Sequence, residues 1–346
     1  MKRQFSKYFK KKLRIKVRKQ INFSNKFKTK RINEQIQWDN YKHLLNTGSF
    51  NALVVNNKIN YIEILYKNKI YKAVLYKGID RELLKTIIVG DYVKVVNELD
   101  NYLIIYRIPR KNCISRIKTD STRLSPFQYY EQIIAANIDL AVIVCSTKNP
   151  PFNSKIIDRY LIICQYNKVN FLICINKCDL TFTKNKIIKW YKDNLNINIV
   201  KTSTITGKGI LELKKYFTGK AVILLGQSGV GKSSIINLLN PKFKVKVRSI
   251  SKKNKKGKHT TTKSSIYVLD RNVYIIDTPG IRSLGIENIN KNEIKNYFTE
   301  FNEYNNLCKY NDCIHYKVDC CAVKNAVMKG LITRFRYESY IKLLEG

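Results

Sequence analysis

The chain has 346 residues, enough for two or three domains with separate cores, and 44% hydrophobic content excludes wholesale disorder. Lys and Arg outnumber Asp and Glu by 65 to 25, a formal charge of +40 that favours a polyanionic partner. Compositional bias towards Lys, Asn, Ile and Tyr accounts for part of the lysine but not for the scarcity of acids, and no run of about 18 uncharged apolar residues supports a membrane span.

Residues 1–47 read as a basic N-terminal tail, of which 1–33 hold fourteen Lys or Arg and no acid. Such a block repels itself until it meets an anion. It reads as a nucleic-acid-binding tail or as an organelle transit peptide, and its Lys richness relative to Ser and Ala favours the tail. Residues 48–112 turn to short alternating runs, "FNALVV", "YIEILYK", "KIYKAVLYK", "DYVKVVN" and "YLIIYRI", separated by polar turns. Five such strands predict a small closed barrel of the oligonucleotide-binding (OB) type, used either on RNA or only for packing. From residue 113 to 290 apolar runs of strand length alternate with helical stretches: "LAVIVCS", "SKIIDRYLIICQY", "NFLICIN", "INIV", "AVILLG", "VYIID". That alternation predicts an α/β domain with a mostly parallel sheet. Residues 291–346 are expected to be mostly helical.

Two motifs in the α/β region concern phosphate. Gly226-Gln227-Ser228-Gly229-Val230-Gly231-Lys232-Ser233-Ser234 satisfies the phosphate-loop spacing between an apolar strand and the helical "SIINLLN". Its glycines let backbone N–H groups face phosphate oxygens, Lys232 reaches the terminal phosphates, and the Ser233 hydroxyl suits Mg²⁺. Asp277-Thr278-Pro279-Gly280 ends the strand "VYIID"; there Asp277 is placed to serve the Mg²⁺ and the Gly280 N–H the γ-phosphate. Between them, "KKNKKGKHTTTKSS" offers Thr260, Thr261 and Thr262, with Thr260 and Thr261 the nucleotide-facing candidates and Thr261 the candidate for the Mg²⁺ shell. A solvated basic loop with no ligand role is the alternative.

A third motif reads a base. Asn176, Lys177 and Asp179 follow "NFLICI" as N-K-x-D. The Asp179 carboxylate matches the N1–H and exocyclic amine of guanine, which adenine does not present. Asn176 suits the base's O6/N7 edge, and the Lys177 stem its face. "TSTITGKGI" follows, where the Ser203 and Thr204 backbone is placed to meet O6. The base-reading elements precede the phosphate loop, the reverse of the ordinary order, so the domain is expected to be a circularly permuted P-loop GTPase. Chains tolerate such rejoining where old termini adjoin and the new cut is exposed.

The nine cysteines, odd in number and irregularly spaced, do not suggest a disulfide framework, and no apolar signal core opens the chain; a reducing compartment is expected. Cys308, Cys313, His315 and Cys321 form C-x4-C-x-H-x5-C, a donor set for one closed structural Zn²⁺, with Cys320 a rival for the fourth place.

Together "AANIDLAVIVCS", "IDRYL", "NKCDL", "GQSGVGKSSIIN", "GKHTTT", "DTPGIRSLG" and "CKYNDCIHYKVDCCAV" resemble the circularly permuted ribosome-assembly GTPases, the family of ribosome small subunit-dependent GTPase A, from about residue 48 onward. The resemblance implies an N-terminal OB-type barrel, a permuted GTPase domain and a C-terminal zinc-binding domain. It implies GTP hydrolysis coupled to late maturation of the small ribosomal subunit, with ribosomal RNA as the main contact. It also supports Cys308, Cys313, His315 and Cys321 as ligands, although Gly is common in the family where Cys320 stands. Ile281 follows the D-x-x-G where many GTPases place a water-orienting Gln, so hydrolysis is expected to be slow alone and stimulated by the small subunit. The resemblance puts His259 forward as the catalytic candidate beside Lys232, with an RNA-contacting role as its alternative. A bacterial cytoplasmic location, or an organelle if the basic segment is an address, and a monomer away from the ribosome are the remaining expectations. Two other readings share these motifs: a GTPase acting on mature ribosomes, and an RNA-binding protein with a structural nucleotide.

Overall fold

The computed structural model describes residues 48–76, 86–98, 101–119, 129–180, 185–240, 265–270, 272–277 and 284–345. The basic segment, the switch threonines with His259, and Gly280 with Ile281 lie outside these residues.

The first five strands are β1 (Phe50–Asn57), β2 (Ile62–Tyr66), β3 (Lys69–Leu75), β4 (Tyr92–Glu98) and β5 (Asn101–Arg107). They pair in the order β1-β2-β3-β5-β4, with β3 and β5 parallel, and β4 returns to β1 to close a barrel of the expected type. Alternation places Ala52, Val54, Ile62, Ile64, Ala73, Val93, Val95 and Ile104 in its interior. The β2–β3 turn uses Lys67 and Asn68, both at positive φ, the backbone that a two-residue hairpin matched to strand twist requires. Leu53, Val55 and Leu65 point the other way and join a core shared with the α/β domain.

A two-stranded sheet follows, β6 (Cys113–Thr119) with β7 (Tyr129–Ala136), which the strand pattern did not anticipate. Side-chain amides fix its base: Asn112 donates to the Ile138 carbonyl and accepts from the Ile138 N–H, while Asn137 donates to the Gly90 carbonyl in the barrel.

The α/β sheet has strand order β10-β9-β8-β11-β13-β12, formed by β8 (Leu140–Ser146), β9 (Asn170–Asn176), β10 (Ile199–Lys201), β11 (Ala221–Leu225), β12 (Ser265–Asp270) and β13 (Val273–Asp277). All neighbours are parallel except β12, which runs antiparallel to β13. Both faces are covered, which explains why these strands read as continuous apolar runs. Ala141, Ile143 and Cys145 face one core with α1 (Ser154–Tyr166) and α2 (Asn185–Leu195). Val142 and Val144 face the other with α3 (Ile210–Lys215) and α4 (Lys232–Leu239). The sheet continues into the barrel through one antiparallel pair, Asn56 with Ser265.

Beyond β13 the chain forms 3₁₀ turns at Lys291–Tyr297 and Thr299–Phe301 and three helices, α5 (Asn302–Asn305), α6 (Ala322–Met328) and α7 (Arg334–Glu345). Their core, including Ile294, Phe298, Phe301, Val323 and Tyr340, takes in Ile162 from α1. Helix α1 is therefore sandwiched between sheet and C-terminal domain, and a helix apolar nearly all round is the sequence consequence. In this seam the Arg336 guanidinium contacts Asp158 through Nη1 and donates to Glu300 from Nε at 2.6 Å. Tyr191 donates its hydroxyl to Asp158 at 2.6 Å, and the Phe298 ring lies 4.4 Å from the guanidinium carbon. Burial opposes the charge on Arg336, and Asp158 and Glu300 more than offset that, so its pKa is raised.

Arg336 and Asp158 are 2% and 0% exposed, so removing Arg336 leaves the Asp158 carboxylate buried without a counter-charge. Arg336→Met is expected to lower unfolding free energy by about 3–5 kcal/mol, and Asp158→Asn with Arg336→Met to restore most of it, in urea titrations.

Candidate functional site

The phosphate loop is built by a strand that ends at Leu225 and a helix that begins at Lys232. Gly226 and Gly231 stand at φ +144° and +100°, and each is crowded as well as twisted. A Cβ on Gly226 would lie 2.2 Å from the Val144 carbonyl oxygen, and one on Gly231 2.2 Å from Asn176 Nδ2. Only glycine satisfies both conditions. Lys232 folds back over the loop, its Nζ donating to the carbonyls of Gly226 and Gln227 at 2.6 and 2.7 Å. Ser233 and Ser234 lie in the first turn of α4, half-buried, behind Ser228, Gly229 and Val230 at the loop's crest.

The base-reading motif meets this loop although it lies far upstream. Asn176, fully buried at the end of β9, donates Nδ2 to the Val230 carbonyl at 2.8 Å. Lys177, at φ +61°, donates Nζ to the Gly229 carbonyl at 2.8 Å and to that of Asn149. Burial lowers the Lys177 pKa, against the opposing charge of Asp179. Asp179 is exposed and accepts from the buried Ser203 hydroxyl at 2.5 Å, so its carboxylate is held at a fixed azimuth beside the strap that carries Thr204. Ser203 in turn accepts from the Ile205 and Thr206 amides. The structure thus brings together Asn176, Lys177, Asp179, Ser203, Thr204 and the loop from Gly226 to Ser234. Asp277 ends β13, the strand beside β11, paired with Ser265.

Two supporting residues escaped the sequence reading. Thr202 donates to Asn176 Oδ1 at 3.2 Å, and Thr147 donates to the Lys177 carbonyl at 2.6 Å. Thr202 directly precedes Ser203, so the signal lay one residue away; nothing in the sequence marks Thr147.

The second candidate centre gathers Cys308, Cys313, His315 and Cys321, whose donor atoms all lie within 4.8 Å of one another. His315 Nδ1 is 3.6 Å from Cys308 Sγ and 3.4 Å from Cys321 Sγ, and the two sulfurs are 4.0 Å apart. A tetrahedral Zn²⁺ with bonds of about 2.3 Å to sulfur and 2.0 Å to nitrogen has edges of roughly 3.4–3.8 Å, so these three edges fit within a few tenths and Cys313 closes the group. Nδ1 is the nitrogen turned into the cluster, while Nε2 lies buried without a protein partner. Burial pushes His315 down to about 4 and Cys321 up to about 12; a bound cation would reverse the second and use the neutral form of the first. Cys320 is exposed, at φ +56°, outside the group. All nine cysteines are free thiols.

A mostly parallel sheet carrying a phosphate loop, with the N-K-x-D motif ahead of it in the chain yet bonded to that loop, defines a circularly permuted P-loop GTPase. The model of the family described as RsgA GTPase matches residues 107–287. A protein of Caldanaerobacter subterraneus named "Small ribosomal subunit biogenesis GTPase RsgA" is 37% identical over 261 residues, 74% of this chain and 82% of that one. A protein of the same name from Flavobacterium psychrophilum is 37% identical over 68% of this chain and 72% of its own. The chain belongs to the RsgA GTPase family. Its fold matches the crystal structure of YjeQ from Thermotoga maritima with a TM-score of 0.68 at 32% identity, over 86% of this chain and 98% of that one. It also matches YloQ, described as a circularly permuted GTPase, with a TM-score of 0.63 at 24% identity.

Asp179→Asn is expected to weaken GTP binding by about 10- to 100-fold and to improve binding of xanthosine triphosphate, since the purine edge it reads is inverted; competition binding with both nucleotides checks it. Chelation of a zinc-loaded sample should lower the midpoint of thermal unfolding, with the loss concentrated in the C-terminal domain, and Cys313→Ser should reproduce it in calorimetry.

Proposed function

We propose that this chain hydrolyses GTP in the biogenesis of the small ribosomal subunit, acting on the subunit through its ribosomal RNA. The observation that carries this reading is the convergence of Asn176 and Lys177 on the carbonyls of Val230 and Gly229, which joins base reading to phosphate binding in the permuted order. Kinship with proteins named for small-subunit biogenesis supplies the process. The +40 charge suits a polyanionic partner, with barrel, basic N-terminal segment and zinc domain as the contacting parts.

Asp179 reads the guanine N1–H and amine, and Ser203 holds its carboxylate in place. The glycine loop and the N-terminus of α4 take the phosphates, and Lys232 exchanges the carbonyls of Gly226 and Gln227 for terminal phosphate oxygens. Ser233, Asp277 and Thr261 would hold Mg²⁺, which would supply positive charge against the transferred phosphoryl group. His259 orients the attacking water, the task for which Ile281 has no polar atom. Cys308, Cys313, His315 and Cys321 hold one structural Zn²⁺. The bound subunit prefers one nucleotide state, so by linkage the nucleotide alters the subunit's affinity in return.

Phosphate release measured with and without small subunits tests the proposal: stimulation of at least about tenfold is expected, and its absence sinks the coupling. His259→Ala should remove about 100-fold or more of the stimulated rate while nucleotide affinity holds. Sedimentation of the factor with mature, translating particles would instead favour a role on finished ribosomes.

A further inference from the structure

The segment Thr147-Lys148-Asn149-Pro150, which leads from β8 towards α1, carries no sequence motif, yet it is fastened to the one that reads the base. Strands β8 and β9 keep parallel register to their last residues, with Ser146 opposite Asn176. One step beyond, the Thr147 N–H donates to the Asn176 carbonyl at 3.2 Å. There Lys177 turns to φ +61° and its backbone leaves the ladder. The Thr147 hydroxyl follows it, donating to the Lys177 carbonyl at 2.6 Å. Lys177 returns the contact through Nζ, which donates to the Asn149 carbonyl. The Ser146 hydroxyl donates to the Pro150 carbonyl at 2.7 Å and folds the segment back on itself.

The Lys177 carbonyl is the foot of a tight turn. It also accepts from the Leu180 N–H at 3.0 Å, so residues 177–180 form a β-turn with Asp179 in its third place. Two restraints on that turn come from one strap: Cys178 donates its N–H to the Thr202 carbonyl at 3.0 Å, and Ser203 its hydroxyl to the Asp179 carboxylate at 2.5 Å. Thr147 bears on the first residue of the turn and from the other flank, since β8 and the strap's β10 lie on opposite sides of β9. A turn held on one side can pivot about that side; held on both, it cannot. Buried hydroxyls need a partner in any case. Here Thr147, itself buried, meets that need at the carbonyl that closes the turn under Asp179.

We propose that Thr147 is a positioning residue for guanine, its hydroxyl fixing the turn that aims Asp179, so that the end of β8 is a base-reading element beside N-K-x-D and the strap. This rests on the reading of Asp179 given above. Guanine engages the carboxylate through two donors, N1–H and the exocyclic amine, and two parallel hydrogen bonds demand accurate aim. Hypoxanthine has N1–H but no amine, and a single bond survives a small pivot. Loss of the Thr147 hydroxyl therefore costs guanine more than hypoxanthine.

The test uses the full chain in five forms: unaltered, Thr147→Val, Thr147→Ser, Asp179→Ala, and Thr147→Val combined with Asp179→Ala. Affinities for GDP and for inosine diphosphate, whose base is hypoxanthine, are read by competition against GDP carrying an N-methylanthraniloyl fluorophore. The unaltered chain is expected to prefer GDP by about tenfold or more. Thr147→Val keeps the side chain's shape and should weaken GDP by about 3- to 10-fold but inosine diphosphate by less than about twofold, so the preference narrows. Thr147→Ser returns the hydroxyl and should return the preference. With Asp179→Ala present, Thr147→Val should cost no further GDP affinity, because no carboxylate is left to aim. Unchanged GDP affinity in Thr147→Val overturns the proposal, and equal loss of both nucleotides marks a merely structural role. A serine variant that behaves like the valine one, or losses that multiply with Asp179→Ala, overturn it as well. An unaltered chain with no preference between the two nucleotides would sink the reading of Asp179 itself. Should Thr147→Val not fold, Thr147→Ala takes its place in the cycle.

Discussion

The hydrogen bond from Asn176 Nδ2 to the Val230 carbonyl is the contact on which the site depends. It ties two loops that are 54 residues apart, and it does so with a buried side chain that must find a partner. Around it the constraints interlock. Gly231 must lack a side chain because the amide occupies that space, Thr202 caps the amide's oxygen, and Lys177 adds a second strut to Gly229. None of these contacts depends on which motif comes first in the chain. That indifference is why the order can be permuted while the geometry stays intact: the sheet places β8, β9 and β11 side by side, and connectivity merely decides where the free ends fall.

The free ends fall so that β13 runs on through the D-x-x-G segment into the C-terminal domain rather than into another helix of the sheet. That domain has a core of its own, but it shares Ile162 with α1 and anchors by a clasp of buried charges. Buried ion pairs add little net stability over apolar replacements, yet they tolerate few alternative seatings, because any displacement strands a charge. The aromatic cage of Phe298, Trp190 and Tyr191 around Arg336 narrows the choice further.

Much of this was legible in the sequence. Strands buried on both faces read as apolar runs, and their extents agree with β8, β9, β11 and β13 to within a residue or so. The barrel showed as alternation, and the cysteine–histidine cluster as spacing. What stayed hidden depended on distance along the chain or on backbone direction. Asp158 and Arg336 are 178 positions apart, and each looks like an ordinary surface charge in an ionic chain. The β6–β7 hairpin gives no signal in the sequence, because residues 120–128 separate its strands and no tight-turn pair marks it. β12 follows a polar, basic stretch and is only half-buried, so it offered no apolar run. Cys320 and Cys321 could not be ranked from spacing, since one left-handed residue decides which thiol turns inward.

The single pair between Asn56 and Ser265 has a consequence for solubility. An open sheet ends in strands whose unpaired amides and carbonyls invite another chain to add on. Here one flank of the α/β sheet abuts a barrel that closes on itself through β1 and β4, and the junction takes up Ser265, so the free edge of β12 is cut to the residues from Ile266 to Asp270. The opposite flank ends at β10, three residues long and finishing in the exposed Lys201. A short, charged border of that kind is a poor template for edge-to-edge association. The five-stranded barrel thus shortens the border that β12 would otherwise offer to another chain.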